Sequence, residues 1–286
     1  MLSLRSPFGR ISPAASQRVI VTGLWGLAVL TVGILAAIIA YVLANGLPYV
    51  TWEFLTESSR SMGREGGVFP FIVGTAYLTA LAVLIAAPLG VGTAIYLTEY
   101  TREGKLTAVI RFGADCLAGI PSIVFGLFGF VFFAITLHLG LSVISGALTL
   151  ALMVLPTVVR TSEEALRAVP SAYREVSYGL GSTRWQMVTH VVLHSALPGI
   201  STGVVLSLGR CVSETAVVML TAGSALRLPH SLFDSSRTLA LHFYILSREG
   251  ISMANAYATA SVLIIAILAL NLLAYSLMRR FVAKVK

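Results

Sequence analysis

Arg160-Thr-Ser-Glu-Glu-Ala-Leu-Arg-Ala-Val-Pro170-Ser-Ala-Tyr-Arg-Glu175-Val-Ser-Tyr-Gly-Leu-Gly181-Ser-Thr-Arg-Trp185-Gln-Met-Val-Thr-His190-Val-Val-Leu193-His-Ser-Ala-Leu-Pro198 is a polar, helix-patterned stretch set between strongly apolar blocks. It is long for a loop. Its apolar residues are too few to span a bilayer and too many for free solvation. An amphipathic segment of this kind either rests on lipid headgroups or seats a helix in the groove of a partner. A charged hairpin kept on one side of a membrane suits the second role, and predicts a subunit that receives force from another protein.

Composition places the rest of the chain in a membrane. Of 286 residues, 57% are hydrophobic and only 11% charged, with mean hydropathy +0.88. A soluble domain carries about 25% charged residues. The net charge of +8 is scattered between apolar blocks rather than gathered in a patch, which argues against nucleic acid as a partner. Cys116 and Cys211 fall in apolar segments without Cys-x-x-Cys or Cys/His spacing, and read as small buried hydrophobes.

A hydrocarbon core about 30 Å thick needs about 20 apolar residues of helix. Six segments qualify, roughly 19–44, 69–97, 114–137, 141–159, 198–222 and 252–278. Backbone groups in lipid are satisfied internally only in helices or closed barrels, and spans of this length are helices. The expected fold is an all-α membrane protein of six transmembrane helices. The first segment follows Arg5, Arg10 and Arg18 but is too long for a signal-peptide core, so it reads as an uncleaved anchor. With the N-terminus inside, most of the 20 Lys and Arg fall on the cytoplasmic side, and Arg210 stands within the membrane. The chain then divides into a cytoplasmic tail at 1–18, a first span at 19–44, an outside loop at 45–68, a core at 69–278 and a cytoplasmic tail at 279–286. The core holds the cytoplasmic hairpin at 160–197 and a second outside loop at about 223–251.

Within the hairpin, Thr161 and Glu164 stand at the positions of a reciprocal helix start. Pro170-Ser171 ends that helix and begins another, Gly179 and Gly181 break it, and Ser182 is placed to cap the next. Asp115, one turn after Arg111, reads as its ion-pair partner.

Arg210 and Glu214 are four residues apart in the fifth span and project from one face if the helix is continuous. Ionisable groups at membrane depth either mark a pathway or pair with each other. Arginine's planar fork suits an oxyanion, and Ser213 and Thr215 add hydroxyls. A purely structural Arg–Glu pair satisfies the same pattern. Pro88, Pro121 and Pro156 each remove a helix hydrogen bond, either as packing kinks or to leave carbonyls facing a path.

Glu175-Val-Ser-Tyr-Gly-Leu-Gly181, nine residues, then Val191-Val-Leu193 resembles the E-A-A-x-x-x-G-x9-I-x-L-P motif of ABC-importer permeases. Val176-Ser177 replace the two alanines. His194 stands where the proline falls, and Pro198 follows. The segments Ala87-Pro-Leu-Gly90 to Glu99-Tyr100, Leu117-Ala-Gly-Ile-Pro121-Ser122, Leu155-Pro156 to Pro170, and Gly209-Arg210-Cys-Val-Ser-Glu214-Thr215-Ala216 resemble the phosphate-transporter permeases. The likeness spans about residues 66 to 222 and is to the A-type subunit. It implies a type I ABC importer permease in a bacterial inner membrane, with cytoplasmic coupling helices around Tyr173, Arg174, Glu175, Gly179, Gly181 and Ser182.

The resemblance also implies a heterodimer with a related permease, two cytoplasmic ATPase copies, an extracytoplasmic phosphate-binding protein, and surrounding lipid. It implies no cofactor on this chain, with ATP and magnesium on the partner ATPase. It gives the arginine at Arg160 a role in the phosphate path, where a cytoplasmic anchor is the plainer alternative. No G-x-x-x-x-G-K-[ST] loop is present to cradle ATP. Rival readings are an importer of sulfate or molybdate, a proton-coupled carrier, and a membrane-embedded enzyme. The last two call for several membrane carboxylates, or for a clustered His/Asp/Glu set that the sequence does not present.

Overall fold

The computed structural model describes residues 13–285, with side chains from 17 to 276. Twelve α-helices lie among them: α1 (Pro13–Gly46), α2 (Trp52–Thr56), α3 (Phe69–Ile95), α4 (Lys105–Ala118), α5 (Ser122–Gly129), α6 (Val143–Arg167), α7 (Ser171–Gly179), α8 (Arg184–Gln186), α9 (Leu193–Ser213), α10 (Ala216–Thr221), α11 (Leu239–Arg248) and α12 (Met253–Val285). Wider π-type turns extend α3 through Tyr96–Tyr100, extend α5 through Phe130–Thr136, and join α8 to α9 through Met187–Val192. Ser59–Arg60 and Glu65–Gly66 form a small antiparallel hairpin, β1–β2.

Five helical segments are long and apolar enough to cross a membrane, and a bent pair of helices makes a sixth. That pair departs from the expected third span. Helix α4 starts at Lys105, well before residue 114, and α5 leaves it at 101°. The cause is Pro121, which has no N–H to continue α4 and disfavours helical backbone in the residue before it. Its own backbone is extended (φ −58°, ψ 141°) as α5 begins.

The ends also differ from the reading of the sequence. Helix α1 begins at Pro13 rather than residue 19; the expected tail at 1–18 lies outside the described residues up to residue 12. Helix α12 continues to Val285, so of the expected tail at 279–286 only Lys286 lies outside them.

Helices α3 and α6 form the centre. Leu78, Ala82 and Ala86 of α3 pack on Ala147, Leu150 and Val154 of α6, with Cys211 of α9 and Val217 of α10 closing the cluster. Small residues allow this closeness, as in other membrane helix pairs. A Cβ on Gly90 of α3 would lie 2.7 Å from Val158 Cγ1 of α6. Pro88 and Pro156 sit inside unbroken helices, and Pro156 is buried. They act as packing residues, and only Pro121 opens the chain.

A second cluster holds the hairpin. Ala94, Leu166, Val169, Met187, Val188 and Val192 bind the ends of α3 and α6 to the hairpin exit. At the opposite end, α2, β1–β2 and α11 cover the bundle. There the buried Arg237 guanidinium donates to the Ser224 carbonyl at 2.8 and 3.1 Å and to His242 Nδ1 at 3.2 Å. The Phe71 ring of α3 stacks on His242 with centroids 3.9 Å apart.

Candidate functional site

The fifth span is not one helix. Helix α9 ends at Ser213, Glu214 is extended (φ −72°, ψ 133°), and α10 restarts at Ala216. No proline or glycine causes this. The Ser213 hydroxyl donates back to the carbonyls of Gly209 and Arg210 at 3.0 and 3.1 Å. The expectation that Arg210 and Glu214 share one helical face is therefore corrected. They flank a break, and no ion pair joins them within 4.0 Å. Ser213 is likewise not a free donor.

The second break meets the first. The half-buried Glu214 carboxylate takes a polar contact from Ser122 at the start of α5, another from the Thr215 backbone, and feels the charge of Arg210. Gly126 of α5 lies so close to α10 that a Cβ there would stand 3.2 Å from Val217 Cα. Arg210, Ser122, Glu214 and Thr215 therefore gather where two interrupted helices cross. Ser122 was visible in the sequence only as the residue after a proline. Its role depends on a contact with a residue 92 positions later.

Depth follows from helix packing. Gly203 lies against Thr161 and Gly199 against Ala165, so α9 runs antiparallel to α6. Continuing that register sets Arg210 level with Val154, near the middle of α6. Arg210 is partly buried and carries no side-chain hydrogen bond or ion pair among the described residues.

Arg160 is not part of this cluster. The same register sets it about 9 Å nearer the hairpin along the helix axis. It pairs closely with Asp115 of α4 and reaches Glu164 at 3.5 Å. The expected Arg111–Asp115 pair is replaced by tertiary pairs, because α4 lies along α6. Arg111 Nε donates to Glu163 Oε1 at 2.7 Å, and Arg167 reaches Glu103 and Glu163 at 3.0 and 3.1 Å. A cavity of about 220 Å³ opens among these groups, where Arg111, Arg160 and Arg167 are matched by Asp115, Glu163 and Glu164.

The hairpin is shorter than expected. Helix α6 runs unbroken through Thr161, whose hydroxyl donates back to Thr157 at 2.8 Å, so Thr161 caps nothing. Helix α7 carries Tyr173, Arg174 and Glu175 and ends with Gly179. The bend belongs to Gly181, with φ +81°. Ser182 N donates to Ser177 O and Gly181 N to Tyr178 O, the paired closure of a left-handed helix end. The next cap is Thr183 rather than Ser182, with Gln186 reciprocating; the Ser182 hydroxyl donates to Ser177 O at 2.7 Å. Tyr173, Glu175, Val176, Leu180 and Trp185 stand exposed around the turn. Arg174 points the other way, onto Glu99.

Residues 86–286 match the family described as binding-protein-dependent transport system inner membrane component. A probable ABC transporter permease protein, YqgI of Bacillus subtilis, is 34% identical over 270 residues, covering 88% of this chain and 92% of its own. The phosphate transport system permease protein PstA 1 of Mycobacterium tuberculosis is 39% identical over 249 residues, covering 85% and 81%. In fold, the chain resembles a subunit of a bacterial alginate ABC transporter (TM-score 0.65, 14% identity, 93% and 94% covered). It also resembles one of the inward-facing MetNI methionine ABC transporter (TM-score 0.59, 20% identity, 75% and 94% covered). The chain belongs to the family of binding-protein-dependent transport system inner membrane components, as a permease of the type I ABC importer fold.

Proposed function

We propose that the chain is the A-type permease subunit of an ATP-driven importer of inorganic phosphate. The observation that carries the substrate is Arg210, a guanidinium level with the middle of α6, without an ion pair among the described residues and beside two helix breaks. That relatives are named phosphate transport system permease proteins supports phosphate, over other oxyanions, as the substrate of this chain. A guanidinium offers a tetrahedral oxyanion two parallel N–H bonds. Thr215 adds a hydroxyl, and Glu214, held by Ser122, can accept a proton from hydrogen phosphate, which sulfate lacks. A site of this kind binds weakly enough to release its cargo.

The cycle uses partners. A related permease completes the path, and an extracytoplasmic binding protein delivers phosphate at the α11 end. Two ATPase copies hold ATP and magnesium and grip the exposed turn around Glu175 and Gly181. Both termini and the hairpin face the cytoplasm. Arg160 lies on the exit side of Arg210 and takes part in the path when its pairing with Asp115 loosens.

The test is labelled phosphate uptake in cells lacking their own high-affinity phosphate system, supplied with the complete complex. Arg210→Ala, at matched membrane abundance, should lower uptake at least about tenfold, the cost of losing a charge-assisted contact. Uptake of sulfate or molybdate but not phosphate by the wild type would overturn the substrate. Unchanged phosphate uptake in the variant would remove Arg210 from the path.

A further inference from the structure

We infer that the Glu99–Arg174 ion pair is the pin through which the hairpin moves α3. The inference rests on the reading of the chain as an ATPase-driven permease.

Arg174 stands on α7 between Tyr173 and Glu175, which face solvent, while its own side chain turns inward. Its Nη2 donates to Glu99 Oε1 at 2.6 Å, and its Nε lies 3.2 and 3.3 Å from the two carboxylate oxygens. The same guanidinium donates to the Val169 and Leu166 carbonyls at 2.8 and 3.0 Å. One side chain thus holds the end of α3, the end of α6 and the start of the hairpin. The pair is shielded, with side-chain exposures of 22% for Arg174 and 6% for Glu99.

Among the described residues this is the only ion pair that joins α7 to another element. The remaining packing of α7 is mainly on Met187–Val192, which leads to α9 and Arg210. Force entering at the exposed turn reaches α9 and α6 along the chain, and α6 again through the Leu166 and Val169 carbonyls. The end of α3 is reached by the apolar cluster around Ala94 and by one directed polar link, the Glu99–Arg174 pair. Without the pair, α3 is held to the hairpin by apolar packing alone, and ATP hydrolysis proceeds with a less matched rearrangement of α3. Glu99 is a positioning residue.

The experiment uses the whole complex in liposomes and reads phosphate moved per ATP hydrolysed, alongside the stoichiometry of co-purified subunits. Glu99→Gln should lower that ratio about fivefold or more, the usual size of a site-to-site coupling. Glu99→Asp, which keeps the charge on a shorter stem, should restore part of it. The double variant Glu99→Gln with Arg174→Gln separates positioning from stability. It strands no charge, so it should assemble better than Glu99→Gln and still be uncoupled. An assembled double variant with the wild-type ratio overturns the inference, as does a fall in uptake and hydrolysis in equal proportion. If the wild-type complex moves no phosphate, the substrate reading fails by itself. The pin is then read from the stimulation of hydrolysis by the loaded binding protein, which the variants should lose.

Discussion

At the scale of the residue, immediate surroundings decide what a polar side chain is for. Ser213 and Thr215 are equivalent in the sequence, as hydroxyls beside Glu214. In the fold the Ser213 hydroxyl is consumed by its own helix end, and that of Thr215 has no partner among the described residues. His242 shows the same principle at the opposite end of the molecule. Burial first, and the neighbouring Arg237 charge second, push its imidazole down from the ordinary histidine value to about 3. Folding therefore requires the neutral ring. Stability is fully present above the ordinary value of about 6.5 and declines as pH falls from there toward 3. Thermal melts of the complex in nanodiscs should lose roughly 2 kcal/mol between pH 7.5 and 5 from this group. His242→Gln should flatten that part of the profile, and an unchanged profile would remove His242 as its source.

At the scale of the element, the hairpin turn separates two glycines that look alike in the sequence. Gly179 ends α7 with ordinary backbone and open space around it. Gly181 has φ +81°, and a Cβ there would also meet nothing within 4 Å. Crowding is thus absent at both, and only backbone strain distinguishes them. Gly181→Val should cost about 1–2 kcal/mol in the turn and reduce the ATPase that co-purifies with the permease. Gly179→Ala should be neutral or stabilising by up to about 1 kcal/mol. Pull-down of the ATPase with each variant reads the difference. The helix breaks follow similar logic. That at Pro121 was legible, because a missing N–H is a property of one residue. That at Glu214 was not, because Ser213 makes the same back-bond to its own helix that Thr161 makes inside the unbroken α6, and no residue beside the break is a helix breaker.

At the scale of the whole molecule, one end carries the hairpin and its charged pairs, and the other carries α11 and the Arg237–His242 cover. The proposed orientation sets them on opposite sides of the membrane. Phe233 and Trp185 are 66% and 65% exposed at these two ends. In a variant without Cys116 and Cys211, Phe233→Cys should react with an impermeant maleimide in cells whose inner membrane is intact. Trp185→Cys should react only after that membrane is opened. The reverse pattern would invert the topology. The sequence by itself determined the membrane class, the number of apolar segments and the Glu175–Gly181 motif. Each follows from local composition or spacing, and the cost of exposing backbone or charge to lipid leaves little choice. Only the tertiary structure decided which charges meet. Asp115 could serve Arg111 within α4 as well as Arg160 across to α6, and Glu99 and Arg174 are 75 residues apart. Coulomb attraction is indifferent to sequence separation, so the packing of α3, α4 and α6 selects the partner.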